Sequence, residues 1–332
     1  MHNTKRYFLH HLKSVLPRLA VFTVISVLIT VMTANGSHSK YAPEHSDVAF
    51  YILSVIIGFL AAVIPMFEFS VYNSKRNLDT LFSLPISRSS LALVHIAVGF
   101  IQMFLVFTVS TAALFASHLD FAEFYDLYYI IPYYFSVLGL GTAIYFIFTF
   151  IFTQANTTLD GIVFCGFWTF NLYLVFLFLD RLFDLKYFYD MTAIYAPING
   201  VTTNFQYRAE MIKREEIFAR SDAIFITLWC VLGALAFFGT VLAFRCKKVE
   251  RVGEVSDSIF GYTLNIPLYF VSQVKDKEPE EIHDLLLDCQ AKISYTLFNK
   301  NNKKNFWLLL ERIMALLIEK PKSSVKTVFD QI

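Results

Sequence analysis

Six long apolar runs occupy most of the first 244 residues and decide what this chain can fold into. They cover residues 19–34, 48–67, 91–116, 128–152, 161–179 and 223–244. A helix that crosses a bilayer needs about 20 mostly apolar residues, whereas strands of globular proteins are much shorter. The first run reaches this length only if Pro17 and a snorkelling Arg18 extend it. The runs therefore predict an all-α, polytopic membrane protein with six transmembrane helices within residues 19–244.

The composition excludes a soluble fold of this size. Hydrophobic residues make up 56% of the chain and charged residues 17%, whereas soluble proteins are about 45–50% apolar and about 25% charged. The surplus would leave apolar surface patches far larger than a soluble monomer shows. Charge is concentrated at the carboxyl end, where residues 245–332 hold 14 of the 28 Lys and Arg residues. We therefore expect a solvated C-terminal extension over 245–332.

Basic residues set the orientation of the runs, because Lys and Arg accumulate on the cytoplasmic side of a membrane protein. They cluster before run one, between runs two and three, and directly after run six. The residues concerned are Lys5, Arg6, Lys13, Arg18, Lys75, Arg76, Arg88, Arg245, Lys247, Lys248 and Arg251. With six spans these three places share one side. This predicts a multi-pass protein of the cell membrane with both termini in the cytoplasm.

Two connections between runs are long. The cytoplasmic segment Glu68–Ser90 carries four apolar residues at helical spacing before Pro85, which predicts a short amphipathic helix that can dock into a partner. They are Leu78, Leu81, Phe82 and Leu84. The external segment 180–222 includes a second helix candidate over 205–220. That segment is either a cap over a translocation path or a solvated tether.

The N-terminal residues 1–18 mix apolar and basic side chains. Tyr7, Phe8 and Leu12 recur at helical spacing among basic residues, a pattern typical of an amphipathic helix in the membrane interface. His10 and His11 are adjacent and point in different directions on such a helix, which argues against a metal site formed by that pair.

Motifs for catalysis or nucleotide binding are absent from the sequence. It contains neither GxxxxGK[ST] nor GxGxxG, and it has no HExxH motif or zinc-type cysteine spacing. His95 is the one histidine within a run, and its position near the cytoplasmic end lets it reach polar surroundings, although a proton or substrate role stays open. The spans show no paired intramembrane charges for ion coupling. This points to a partner that supplies energy.

The segment Phe67–Phe100 has a specific pattern: an acidic residue ending run two, a basic turn, the stretch LDTLFSLPISR, and then run three. The pattern resembles the permease subunits of bacterial type-2 ABC transporters, the ABC-2 family, and the stretch Lys247–Ser258 resembles Firmicute members. The matching residues are Glu68, Lys75, Arg76, Leu78, Thr80, Leu81, Ser83, Leu84, Pro85, Ile86, Ser87 and Arg88.

The resemblance implies roles for several segments. The matching residues, together with Phe82, would form the coupling helix that contacts a separate ATPase subunit. The turn from Gln154 to Asp160 would form a second coupling contact, and residues 1–18 would be the connecting helix. The segment 180–222 would be the external helical region. The 259–332 extension departs from the minimal family pattern.

The function expected from this resemblance is ATP-driven transport, most often export, by alternating access. The partners would be an ABC ATPase, which holds ATP-Mg, and a second permease copy in a homodimer or heterodimer within membrane lipid. No catalytic residue, cofactor, metal or nucleic acid is expected in this chain, so it is not expected to be an enzyme. The alternatives are a secondary carrier or channel without an ATPase, and a membrane enzyme or signalling anchor. The substrate stays open.

Overall fold

The computed structural model describes residues 2–36, 46–117, 127–169 and 220–247, and part of 252–261. Over these ranges the chain is helical and contains no strand, which confirms the all-α prediction. The helices are α1 (His2–Gly36), α2 (Ser46–Phe69), α3 (Lys75–Phe82), α4 (Arg88–Ser117), α5 (Leu127–Thr153), α6 (described over 158–169) and α7 (Arg220–Cys246). A 3-10 turn, Ser70–Asn73, joins α2 to α3.

Five of the described helices are long and apolar enough to cross a membrane. These stretches are Asn3–Thr33, Tyr51–Asn73, Arg88–Ala116, Ile131–Thr153 and Ile226–Cys246. They correspond to runs one, two, three, four and six. Run five begins in α6 and ends outside the described residues, so the count of six spans stays a prediction. Most of the external segment 180–222 and of the extension 245–332 also lies outside the described residues.

The predicted N-terminal helix and first span form one continuous helix, α1. Pro17 lies inside it. A proline removes one backbone hydrogen-bond donor from a helix, and helices of membrane bundles tolerate this loss. The apolar face of its N-terminal part packs on α4. The contributing side chains are Tyr7, Phe8, Leu12 and Val15 of α1 with Val94 and Val98 of α4. That residues 1–18 also lie in the membrane interface stays a prediction.

The chain divides into two compact units, Met1–Cys165 with Asp190–Glu254, and Gly166–Tyr189 with Val255–Ile332. In the first unit α2 contacts α1, α4 and α5, while α7 packs against α4 and α5. In the second unit the indole N–H of Trp168 donates to the carbonyl oxygen of Phe260 at 2.8 Å. The candidate site lies entirely in the first unit.

Burial separates inner helices from outer ones. α2 and α5 form the centre, with buried residues that include Leu53, Ile57, Ile64, Val137, Leu140 and Phe148. α1 and α7 leave much of their apolar surface uncovered, and Met32 is 72% exposed and Phe238 64% exposed. In a bilayer the exposure of this surface costs little free energy, because lipid tails are as apolar as the side chains themselves. The outer helices therefore suit contact with lipid or with another membrane chain.

Some polar residues within the spans bond between helices. The hydroxyls of Thr108 on α4 and Tyr134 on α5 lie 2.6 Å apart. Thr142 and Thr149 instead donate to the carbonyl oxygens of Leu138 and Tyr145, one turn earlier on α5. A hydroxyl that bonds to its own helix needs no partner helix.

Close packing of α7 on α5 depends on Gly233. A Cβ added there would lie 2.7 Å from the backbone Cα of Ala143, which has no flexible atoms to move aside. We therefore predict that Gly233→Ala lowers the melting temperature of the detergent-solubilised protein. Gly139→Ala, on α5, is the matched control because an added Cβ there meets nothing within 4 Å. Equal melting temperatures for the two variants would contradict this account of the α5–α7 contact.

Candidate functional site

The carboxylate of Glu68 lies where α1, α2 and α4 meet. It sits next to the last residue of α2, at the bundle end that also holds the first turns of α4, and it is 1% exposed. A buried carboxylate away from bulk water is costly unless its oxygens are paired or hydrogen-bonded. The side chains from α1 and α4 that satisfy Glu68 therefore determine how the three helices are arranged.

One oxygen of Glu68, Oε1, accepts hydrogen bonds from two residues. Arg18 on α1 donates through Nη2 in a close ion pair, and Gln102 on α4 donates through Nε2 at 2.8 Å. Arg18 Nε also donates to Oε1 of Gln102 at 3.1 Å. The three side chains form a closed ring of contacts between three helices. That Arg18 also snorkels toward the membrane interface stays a prediction.

The other oxygen, Oε2, faces two histidines. His11 Nε2 lies 2.7 Å from it and His95 Nδ1 lies 3.3 Å from it. The second ring nitrogen of His95, Nε2, lies 3.0 Å from the hydroxyl of Tyr7. The ligand-type atoms of His11, Glu68 and His95 all lie within 4.8 Å of one another, so this group can hold a metal ion. We call His11, Arg18, Glu68, His95 and Gln102 the Glu68 cluster.

Aromatic rings close the Glu68 cluster on the side of α7. The ring centroid of Tyr72 lies 4.9 Å from that of His95 and 4.5 Å from that of Phe244. Phe69 also contacts these rings. The Tyr72 hydroxyl is buried and has no hydrogen-bond partner among the described residues. Rings on this side exclude water and lower the local dielectric, which strengthens the pairing of Glu68 with Arg18.

The short helix α3 begins seven residues after Glu68. Ser74, in an extended conformation, precedes it, and the Ser83 N–H closes it by donating to the Asp79 carbonyl oxygen at 3.0 Å. Leu78 is its buried residue, whereas Arg76 and Thr80 are exposed. The helix therefore packs on the bundle through buried Leu78 and through Phe82 at its end, and it presents a polar face outward.

The predicted coupling residues fall into three groups. Glu68 and Leu78 are buried, so they support the surface rather than form it. Leu81, Phe82, Leu84 and Ile86 are half-buried. The exposed members are Lys75, Arg76, Thr80, Ser83, Pro85, Ser87 and Arg88.

Phe82 and Arg88 link α3 to the end of α7. The Arg88 guanidinium carbon lies 4.4 Å from the Phe82 ring centroid, a cation–π contact. Arg88 Nη1 also donates to the carbonyl oxygen of Lys247 at 3.1 Å. The chain directly after α7 therefore lies beside the α3 region, within the same compact unit.

The predicted second coupling turn, from Gln154 to Asp160, also lies beside the chain directly after α7. The side chain of Thr157 caps α6 by accepting from the Asp160 N–H at 3.0 Å, and Asp160 is buried. Gln154 follows α5, where its N–H donates to Ile151 at 3.2 Å. Lys247 Nζ joins this turn to the turn before α3, since it donates to the carbonyl oxygen of Ala155 and to Oδ1 of Asn73, each at 3.1 Å. Lys247 thus holds both predicted coupling segments together.

Sequence reasoning identified Glu68 but not its partners. The spacing contains a usable signal, because Tyr7, His11 and Arg18 lie on one face of α1 at intervals of four and seven residues. His95 and Gln102 are likewise seven residues apart on α4. The expectation that the spans lack paired charges concerned the runs 19–34 and 48–67. The paired residues Arg18 and Glu68 directly flank these two runs, so that expectation stays a prediction.

We predict that Glu68→Gln destabilises the folded protein, because the Arg18 charge loses its counter-charge in a poorly solvated place. The expected cost is roughly 1–3 kcal/mol, below that of fully buried pairs, since the Arg18 side chain keeps 25% exposure. The double variant Arg18→Gln/Glu68→Gln should recover part of the loss. Reversible unfolding in mixed detergent measures Glu68→Gln, Arg18→Gln and the double variant, and additive losses of the two single variants would argue against a coupled pair. Asp79→Asn is the control, because it also removes a carboxylate but does so at an exposed site on α3.

Burial lowers the pKa of Lys247 from 10.5 to about 8. Between these two pH values the unfolded chain keeps a proton that the folded chain has released, so raising the pH favours the folded state. We predict that the melting temperature of the wild type rises between about pH 8 and 10 relative to that of Lys247→Met. A constant difference between the two proteins over this interval would show that Lys247 titrates normally.

Comparison of the chain with family models, with curated proteins and with solved structures finds no match in any of the three. The assignment of a function therefore rests on the sequence pattern and on the geometry of the helix ends.

Proposed function

We propose that this chain is the transmembrane permease subunit of an ATP-driven transporter of the ABC-2 kind. It would work with a separate ABC ATPase and a second permease copy in the cell membrane, and would export its substrate. The observation that carries the proposal is α3, a short helix fixed to the bundle end through buried Leu78, with a polar outer face. A partner can bind this face without unfolding any part of the bundle.

The contacts of Glu68 supply a path from α3 to the spans. α3 follows the end of α2 after the turn Ser70–Asn73, so force on α3 acts directly on the end of α2. At that end Glu68 bonds to Arg18 of α1 and to Gln102 of α4. Because these bonds join three helices at one point, the cytoplasmic ends of α1, α2 and α4 would move together. In this proposal, ATP-driven closure of the ATPases tilts these three spans and opens the path outward.

A second contact supports a broad partner surface. Lys247 bonds to the turn after α5 and to the turn before α3, so the two predicted coupling segments form one surface. A rigid surface of this kind transmits a push better than two independent loops would. Asp160 is buried at the start of α6, which keeps the second turn fixed to the bundle.

The Glu68 cluster also favours a second candidate function, a proton-coupled secondary carrier. Buried carboxylates and histidines near a membrane span often relay protons. In that case transport would run in reconstituted vesicles on a proton gradient without any ATPase, and Glu68→Gln would abolish it. The ion pair with Arg18 argues for the permease, because a carboxylate neutralised by a fixed cation is a poor proton carrier.

The experiment that tests the proposal is co-purification of the full-length chain from its native membrane. An ATPase with Walker motifs should co-purify with the chain and should hydrolyse ATP in the complex.

We predict that Thr80→Arg, on the exposed face of α3, removes this ATPase while the variant keeps its wild-type melting temperature. Ser14→Arg is the matched control, since Ser14 is also an exposed hydroxyl residue bonded to a carbonyl of its own helix.

Two outcomes would contradict the proposal. If Thr80→Arg retains the ATPase with unchanged ATP hydrolysis, α3 is not the docking surface. If substrate flux in vesicles of the purified chain alone follows a proton gradient, the chain is a secondary carrier.

A further inference from the structure

We propose that His11, Glu68 and His95 form a binding site for a divalent transition metal of the Zn²⁺ class. Each residue offers one ligand atom: Nε2 of His11, Oε2 of Glu68 and Nδ1 of His95. Two imidazole nitrogens and one carboxylate oxygen are an established ligand set for zinc, with a fourth position left for water. The inference requires neither an ATPase nor transport, so it stands apart from the proposed function.

The distances between the ligand atoms suit such an ion. With metal–ligand bonds of about 2.0–2.1 Å, tetrahedral ligand atoms lie about 3.3–3.4 Å apart. The pair His95 Nδ1 and Glu68 Oε2 is already at 3.3 Å. The pair His11 Nε2 and Glu68 Oε2, at 2.7 Å, is a hydrogen bond that an ion would open by roughly 0.6 Å. The two imidazole centroids are 4.2 Å apart, so both rings lie at one place.

The surroundings of the three ligands match those of metal sites. Arg18 and Gln102 bond to Oε1 of Glu68, which fixes the carboxylate and leaves Oε2 for the ion. Tyr7 lies at hydrogen-bond distance from Nε2 of His95, the nitrogen that does not face Oε2. In metal sites a hydrogen bond to that second nitrogen sets the tautomer and orients the ring.

The charge balance selects the kind of ion. Arg18 neutralises Glu68, so the imidazole nitrogens must supply much of the binding energy. Mg²⁺ and Ca²⁺ depend on several anionic or carbonyl oxygens, which this group does not offer. Zn²⁺ and similar ions bind imidazole strongly even where net negative charge is small. The ion would also bridge α1, α2 and α4, the same helices that Arg18 and Gln102 join.

The adjacent histidines of α1 provide a matched test. His11 belongs to the Glu68 cluster, whereas His10 is exposed on the same helix. Full-length protein, stripped with a chelator, is titrated with Zn²⁺ against a chromophoric chelator, and Mg²⁺ serves as the comparison ion. We expect one high-affinity Zn²⁺ per chain in the wild type and in His10→Asn, and its loss in His11→Asn. Tyr7→Phe should weaken binding by roughly 10–100-fold.

Zinc X-ray absorption of the wild type gives a measurement that needs no variant to fold. Nitrogen and oxygen ligands alone would support the site, whereas sulfur in the ligand shell would assign the ion to cysteines and overturn it. Equal loss of zinc from His10→Asn and His11→Asn would show adventitious surface binding and overturn the proposal. A wild type without high-affinity Zn²⁺ binding would mean that the histidines only hydrogen-bond to Glu68.

Discussion

Burial of the Glu68 carboxylate is the constraint on which the bundle end depends. A carboxylate with 1% exposure beside a membrane span cannot be hydrated by bulk water, so side chains must supply its partners. Arg18 and His11 come from α1, and Gln102 and His95 come from α4. A helix that slid or rotated by one residue would break at least one of these contacts. The carboxylate therefore sets the register of α1 and α4 against the end of α2.

This pairing also explains why α1 is a single long helix. Its first turns contribute His11 to the cluster and Tyr7 as a partner of His95, and Arg18 follows two turns after His11 on the same face. The helix must run unbroken through Pro17 for all of them to reach the same place. Further along, α1 is mostly uncovered, because its apolar residues need no protein partner in lipid. The same helix is thus held by polar contacts at one end and left free for lipid, or for a second copy, along the rest.

The exposed face of α3 is connected to the Glu68 cluster through the turn between them. The turn Ser70–Asn73 separates them, and Tyr72 in that turn packs its ring against His95 and Phe244. Lys247 extends these contacts to α5, because it bonds both to Asn73 and to the turn after α5. A partner that binds α3 would therefore act on a rigid group of helix ends, which is what the proposed permease role requires. An ion bound between His11, Glu68 and His95 would stiffen the same group.

The apolar runs by themselves determined the all-α class and the positions of five membrane-length helices, because hydrophobic length is a local property of the chain. The same local reasoning placed the amphipathic helix before Pro85, which the structure has at Lys75–Phe82. It could not find the partners of Glu68, since Arg18 and Gln102 lie 50 and 34 residues away along the chain. Only the packing of α1 and α4 around the end of α2 brings those side chains together, because a buried carboxylate must find its counter-charge and its hydrogen-bond donors in three dimensions.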